Sequence, residues 1–491
     1  MSNQKSSNFN QVLWLGIGQI GTYLIAFLST IILSRYLSKT EYGTYNQIIY
    51  VYMTLMSVFT IGLPTIFSYY IPRLSSSQQK TLIGSLNKIF LYLGAIFSLV
   101  LYFSSSIIAN MLNNPELAIG LKIFAIFPLF TLPTLGIEGL YTALRKTKEV
   151  AYYQIYSRTL MLLCIVLPVV LYQPNYRLAI IGWGVASFFS FLMAMYMKSK
   201  PYMKIEKESI PNMYKSIFDY SLPLLGAFVA GFFISSADQF FISRYYGTEA
   251  FADYSAGSYG IPLVAVISAS LKKVLMPLFS KAEHEGKMDG AVQSYINAVN
   301  KSIKLVFPLV VYAIFFTSYI VLFIYGEKYS TSYSFMRNHL IRDFIQIFPY
   351  FSVFLALGMS RVYLNMHIYG VVFVWILDFI IVKLGLDASF IVLVRTMFGV
   401  FSTIFAMIYL FKFKKINLMP RIVIKQILII ILHSTLCAFL IFQLNNVFFC
   451  GNYKPLITLI TTFFLYYILL VASSFIFKIN YLELILNFKK K

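Results

Sequence analysis

Charge is scarce in this chain. Only 12% of its 491 residues are Asp, Glu, Lys or Arg, and the acidic ones number 18 against 40 basic. A soluble protein of this length needs far more polar surface, so a water-soluble globular fold is excluded. Cysteine is nearly absent. Cys164 lies in one apolar run, and Cys437 and Cys450 stand 13 residues apart on another, about 20 Å along a helix, so there is no disulfide framework. The four histidines suggest no metal site: His284 falls in a polar loop and His433 is alone on an apolar face. The pattern GxxxxGK[ST] is missing, which argues against an ATP-driven transporter with its own nucleotide site. No polar stretch is long enough for a sizeable soluble domain. The longest, 198–215 and 277–301, read as loops or short surface helices.

What fills the chain is apolar. Hydrophobic residues make up 59% and the mean hydropathy is +0.74. Runs of about 20 apolar residues read as transmembrane helices. The first, Val12 to Leu33, is longer than a signal-peptide core of about 7–15 residues, and no small-residue cleavage site follows it. We expect it to be an uncleaved first span. Fourteen spans are expected, near 12–33, 45–71, 82–106, 117–137, 150–173, 177–197, 216–242, 254–276, 302–325, 333–358, 364–383, 388–411, 423–445 and 456–477.

The loops set an orientation. With the N-terminus in the cytoplasm, inner segments hold 28 Lys and Arg and outer ones hold seven. This obeys the positive-inside rule with both termini cytoplasmic. The net charge of +22 is then explained by topology and anionic lipid, not by nucleic acid.

A repeat lies within the pattern. Ser34-Arg35-Tyr36 and Tyr45 return, 209 residues later and without a gap, as Ser243-Arg244-Tyr245 and Tyr254. Tyr42 falls on Phe251, Gly43 on Ala252 and Tyr50 on Tyr259. The first copy joins spans one and two, the second joins spans seven and eight. The repeat unit is therefore six helices in the same orientation, as in transporters with parallel repeats. The expected architecture is an all-α integral membrane protein: a bundle over 1–200, a second over 201–415, both around a central cavity, and helices 13 and 14 with a basic tail over 416–491.

Four stretches in this order, LSRYLSKTEYGTYNQ, YSLPLLGAFVAGFFISSADQFFISRYYG, YSAGSYGIPL and LALGMSR, resemble the polysaccharide-flippase (Wzx-type) branch of the multidrug/oligosaccharidyl-lipid/polysaccharide transporter superfamily. The resemblance covers most of 12–411, while 412–491 matches only in helix count. It implies a 6+6(+2) helical fold that carries a polyprenyl-pyrophosphate-linked oligosaccharide from the inner to the outer leaflet of the plasma membrane. It implies no cofactor. Its partners would be that lipid-linked substrate, membrane lipids, and glycosyltransferases and a polymerase of the same pathway, for O-antigen, capsule or related polymers.

Rivals remain at this stage. A cation-coupled drug exporter of the same superfamily would want acidic groups, and Asp238 and Asp378 keep it open. A peptidoglycan-precursor flippase differs only in cargo. A membrane glycosyltransferase or polymerase is disfavoured, because every outer loop is short and the first offers only Glu41.

Ionisable groups within spans cost at least about 2.5–3.5 kcal/mol on insertion scales, so they mark cavities or pairs. Arg158 lies about eight residues, or about 12 Å, into the fifth span, with Gln154 one turn before it on the same face. An Arg there suits a pyrophosphate through its planar fork; the plainer reading is an ion pair between helices. His339, Arg342, Asp343 and Gln346 form one polar stripe on span ten, either the outer part of a sugar vestibule or a solvated helix end. Asp378 and Arg395 flank a short loop and could pair as a static contact. Asp238, six residues before Arg244, either couples to a cation or neutralises a neighbour. Lys122 lines the cavity or snorkels from a helix end. Prolines 64, 128, 133, 168, 223, 262, 308 and 349 interrupt spans and bend them.

Overall fold

The computed structural model of the protein describes residues 2–60, 62–448 and 454–481, the side chains of 2–13, 220–228 and 230 excepted. Cys450, the side chain of Pro223 and the tail lysines Lys489, Lys490 and Lys491 lie outside the described part. Among the described residues the fold is helical, with no strand.

In chain order the helices are α1 (Ser2–Tyr36), α2 (Lys39–Phe59), α3 (Pro64–Tyr70), α4 (Ser76–Met111), α5 (Glu116–Phe124), α6 (Pro128–Thr131), α7 (Ile137–Ala143), α8 (Thr147–Leu171), α9 (Tyr176–Ser199) and α10 (Met213–Phe241). They continue as α11 (Gly247–Gly257), α12 (Pro262–Glu285), α13 (Met288–Phe315), α14 (Thr317–Tyr325), α15 (Ser332–Gln346), α16 (Tyr350–Ala356), α17 (Ser360–Lys383), α18 (Ser389–Lys414), α19 (Arg421–Phe448) and α20 (Pro455–Ser473). Two compact units divide at Ala252/Asp253, whereas the sequence repeat divides near 200/201. The tenth helix and the second Ser-Arg-Tyr motif thus belong to the first unit.

Eleven helical stretches are long and apolar enough to cross a membrane among the described residues, and twelve when the bent pair Lys39–Phe59 and Pro64–Arg73 is one span. The exact number fourteen is thus not confirmed among the described residues. Several expected spans are interrupted, mostly at proline. Pro64 opens α3, Pro128 opens α6, and Pro133 sits in the short 3-10 turn Leu132–Thr134. The expected span 333–358 is broken between α15 and α16 at Pro349, whose nitrogen offers no hydrogen bond to continue a helix. The expected span 302–325 breaks at Phe316. Pro168 and Pro308 stay inside helices. The polar stretch 277–301 is not a loop: α12 runs on to Glu285 and α13 starts at Met288, so both helices carry polar turns beyond their apolar parts.

The core of the first unit is aromatic. Tyr52 stacks on Phe97 at 5.6 Å between ring centres and meets Phe124 at 5.0 Å, and Trp183 closes on Phe124 at 5.3 Å. In the second unit Tyr312, Phe316, Tyr466 and Leu470 bury the contact of α13 with α20, and Cys437 and Ile441 add α19 to it.

Candidate functional site

The face of α8 that carries Arg158 is packed shut towards both of its ends. Thr147, Ala151, Ile165 and Val169 share that face at helical spacings, and each is at most 4% exposed. Arg158, in the middle of the stripe, is exposed. Its Nη1 lies 3.8 Å from Met161 Sδ, Tyr153 lies within Coulombic reach, and no carboxylate among the described residues forms an ion pair with it. The packing that seals the face below it comes from α1, where Gly18 lies against Ala151 and Gln154 and Gly21 against Ile155. Gln154 Nε2 donates to Glu138 Oε2 at 3.4 Å, and Gln154 Oε1 is buried without a hydrogen-bond partner. Gln154 and Arg158 thus share one helix face. Glu138, on α7, joins them and was missed because it stands one residue past the expected end of the fourth span. Lys122 is exposed on α5 and forms no ion pair among the described residues.

A second missed residue is Lys198. The charge count places it among the basic residues of the inner segments, at the start of the polar stretch 198–215, but it is fully buried. Its ammonium donates to Asn87 Oδ1 at 3.1 Å, to the Pro133 carbonyl at 2.7 Å and to the Leu135 carbonyl at 2.6 Å. It also lies 4.8 Å from the ring centre of Phe67 and 5.5 Å from that of Phe90. Three donors meet three acceptors, and two of those acceptors are carbonyls at the break in the fourth span.

In the second unit the polar stripe of α15 separates into two pairs. Arg342 Nη2 lies 3.0 Å from His339 Nε2. A guanidinium can only donate, so that imidazole nitrogen accepts and the ring is neutral. Asp343, 1% exposed, accepts the Ile261 backbone N–H at 3.0 Å and the Gln346 side-chain amide at 2.7 Å. The Gln346 carbonyl in turn accepts Ser268 Oγ at 2.7 Å. Asp343 and Gln346 therefore hold the start of α12. Arg395, on α18, lies within Coulombic reach of His339. Asp378 is fully buried on α17. In the first unit Asp238 is buried on α10, within Coulombic reach of Tyr50.

The two copies of the Ser-Arg-Tyr motif meet within the first unit. In the first copy Ser38 caps α2, and the Ser38 backbone N–H donates to Glu41 Oε2 at 3.1 Å, a reciprocal cap. In the second copy residues Ile242–Tyr246 form a π-turn that ends at Gly247, with φ +87°, a conformation open to glycine. Gly43 lies so close to Thr248 that any Cβ would collide with its carbonyl. Arg244 Nη1 donates to the Asn110 and Met111 carbonyls and to Asn113 Oδ1 at 2.7–2.9 Å.

Eleven or more long apolar helices among the described residues mark a multi-pass membrane protein. Solved structures agree on the fold. The chain is similar to "Lipid II flippase MurJ, inward closed conformation" with a TM-score of 0.68, at 14% identity over 94% of this chain and 99% of that one. It is also similar to an inward-facing multidrug resistance MATE family transporter of the MOP superfamily (TM-score 0.62, 15% identity, 82% and 99% coverage) and to a mutant of the Vibrio cholerae MATE transporter VcmN (TM-score 0.58, 15% identity, 85% and 98% coverage). No curated protein sequence matches the chain. A family model described as "Polysaccharide biosynthesis protein" matches residues 8–334, and the chain belongs to that family.

Proposed function

We propose that the protein is a flippase. It carries polyprenyl-pyrophosphate-linked oligosaccharide units across the plasma membrane, from the cytoplasmic to the outer leaflet, for a surface polysaccharide of the O-antigen or capsule type. Both termini are cytoplasmic in this reading, and the glycosyltransferases and polymerase of the same pathway act before and after it. The observation that carries the reading is Arg158: an exposed guanidinium in a packed stripe, with no carboxylate ion pair among the described residues. A cationic exporter substrate would be repelled there, whereas a pyrophosphate would take two parallel N–H donors. Lys122 in the first unit and Arg342 and Arg395 in the second are further candidate cations for the substrate, and His339, Gln154 and Gln346 are candidates for hydrogen bonds to sugar hydroxyls. Asp238 and Asp378 serve ion coupling or charge balance.

Transport in this reading is by alternating access, as expected for a chain built from parallel repeats. The test replaces Arg158 in a strain that depends on this protein for its surface polymer. A charged hydrogen bond of this kind contributes about 1.5–3 kcal/mol, so Arg158→Ala lowers polymer output about ten- to hundredfold at equal protein level, and Arg158→Lys restores part of it. Normal polymer in the Ala variant would remove Arg158 from the path.

A further inference from the structure

The chain that follows α9 is fastened along the first turns of α4. After the 3-10 turn Lys200–Tyr202, the Tyr202 hydroxyl donates to Gln79 Oε1 at 2.7 Å, and Lys80 Nζ donates to the Ile205 carbonyl at 2.6 Å. Thr81 Oγ1 donates to the Glu208 carbonyl at 2.7 Å. The Glu208 carboxylate accepts from Ser75 Oγ at 3.0 Å and from Gln78 Nε2 at 2.9 Å. These bonds turn an irregular stretch into a fixed wall beside α4.

Between that wall, α4 and the end of α9 lies a cavity of about 220 Å³. Lys80, Lys198, Lys207 and Asn87 line it, with Ile83, Gly84 and Met203 in its apolar part. Lys198 uses its three N–H bonds on Asn87 Oδ1 and two carbonyls, so it gives the cavity charge alone. The same contact holds Asn87 by its oxygen and leaves the amide nitrogen to donate. Lys80 keeps two N–H bonds beyond the one to Ile205. Lys207 is exposed, and its ammonium makes no hydrogen bond among the described residues. No acidic residue lines the cavity. Every residue from 62 to 219 is described, and so are all of the chain's 18 acidic residues except Glu483; among those described, none forms an ion pair with Lys80, Lys198 or Lys207. Gly84 keeps the space open. Glycine weakens a helix, and a Cβ there would meet no atom within 4 Å, so close packing does not require it.

Three like charges around one cavity repel each other, and a bound anion would offset that repulsion. The ammonium groups of Lys80 and Lys207 and the Asn87 amide are donors to phosphate oxygens, and the apolar part suits the carbons of a lipid. Both α4 and α9 are long and apolar enough to cross a membrane. The cavity lies at their lysine-bearing ends, which the positive-inside rule assigns to the cytoplasmic leaflet. That leaflet carries anionic lipid, and basic pockets between helices on that side bind its headgroups. The structure assigns this cavity to the phosphate of an anionic phospholipid, held by Lys80, Lys207 and Asn87, with Lys198 adding its charge. None of these residues belongs to the Arg158 site, and the assignment does not depend on the transport reading. A bound lipid would fasten the stretch leading into α10 to α4.

The experiment uses the purified full-length protein in detergent, with phosphatidylglycerol, phosphatidylcholine or inorganic phosphate added. Native mass spectrometry counts the bound lipids, and thermal unfolding reads their effect. Phosphatidylglycerol is expected to stay bound through detergent removal and to raise the unfolding midpoint, and phosphatidylcholine to do neither. Gly84→Leu fills the cavity without removing a charge and should lower phosphatidylglycerol retention at least severalfold. Lys207→Gln should lower it as well, and Lys207→Arg should keep most of it. Lys200→Gln removes the same charge outside the cavity and should leave retention unchanged. Should Gly84→Leu not fold, the exposed Lys207 and Lys200 decide the question between them. Equal retention of the two lipids, undiminished phosphatidylglycerol binding to Gly84→Leu or Lys207→Gln, or an equal loss in Lys200→Gln overturns the proposal. Stabilisation by millimolar inorganic phosphate equal to that by lipid would overturn the phospholipid assignment and leave a soluble-anion site.

Discussion

Thr40 Oγ1 donates a 3.1 Å hydrogen bond to Glu249 Oε1, and the two residues are 209 apart in the chain, the same offset that superposes the two Ser-Arg-Tyr motifs. A residue has met its own counterpart from the duplicated half. The copies have since diverged around that point. Gln47 uses Ser243 as a partner, but the counterpart of Gln47 is Ala256, which has no amide to repeat the bond. The seam is thus a duplicated contact made specific by later substitutions.

Gly43 permits that seam. A side chain there would meet the Thr248 carbonyl, which is backbone and cannot swing aside. A Thr40→Cys/Glu249→Cys variant should cross-link on mild oxidation, and neither single cysteine variant should. Adding Gly43→Val should lower the cross-linked fraction at least severalfold, read on a gel after proteolysis between the two cysteines. Unchanged cross-linking would mean that the backbones do not approach as described.

Beneath the seam Gln47 is fully buried, donates to Ser243 Oγ at 2.8 Å and accepts from Asn114 Nδ2 at 2.6 Å. Asn114 Nδ2 also donates to Thr44 Oγ1 at 2.9 Å. Gln47→Leu strands buried polar atoms and should cost about 1–3 kcal/mol. Adding Ser243→Ala to that variant should cost less than Ser243→Ala alone, because their shared bond is already gone. Thermal unfolding midpoints of the three variants in detergent check this; strict additivity would refute the network.

The apolar runs and the Ser-Arg-Tyr repeat were legible because each is a pattern in the sequence itself. What escaped was set by tertiary contacts. Lys198 stands at the end of an apolar run, where an exposed lysine is the ordinary reading, yet its four-carbon stem turns the ammonium back onto carbonyls from a break more than sixty residues earlier in the chain. Glu138 escaped because the fourth span was expected to end at 137, whereas its last helix runs on to Ala143. The polar turns of α12 and α13 read as loop because a helix that leaves the membrane loses its apolar signal while keeping its backbone bonds. At the candidate site, Arg158 was visible from sequence as a charge within a span. The division of the α15 stripe was not, since it depends on the Ile261 N–H arriving beside Asp343.

That arrangement makes Asp343 a test of roles on one helix. Asp343→Ala leaves the Ile261 N–H and the Gln346 amide without their acceptor and should lower stability by about 1–3 kcal/mol. Asp343→Asn retains one oxygen for Ile261 and should lose less. Gly260→Ala places a methyl 3.0 Å from Asp343 Oδ1, so it should loosen the same junction. Unfolding midpoints rank the variants; an Ala variant as stable as the parent would show that the carboxylate does not hold α12.

Lys198 gives the sharpest stability prediction in the first unit. Its charge is buried without a carboxylate partner among the described residues, and the Leu135 carbonyl it caps cannot continue a helix because Leu135 is extended, with ψ 150°. Lys198→Met keeps the stem but orphans the Pro133 and Leu135 carbonyls, each worth about 1–3 kcal/mol when left unmet. Lys198→Arg keeps the charge, but a planar fork does not match three converging acceptors flanked by Phe67 and Phe90. Both variants should therefore unfold at lower temperature, whereas Lys200→Met, at an exposed neighbour, should change stability by no more than about 0.5 kcal/mol. Thermal stability measured by fluorescence-detected size exclusion would settle it: if Lys198→Met matched Lys200→Met, the ammonium would not be what holds the broken fourth span in place.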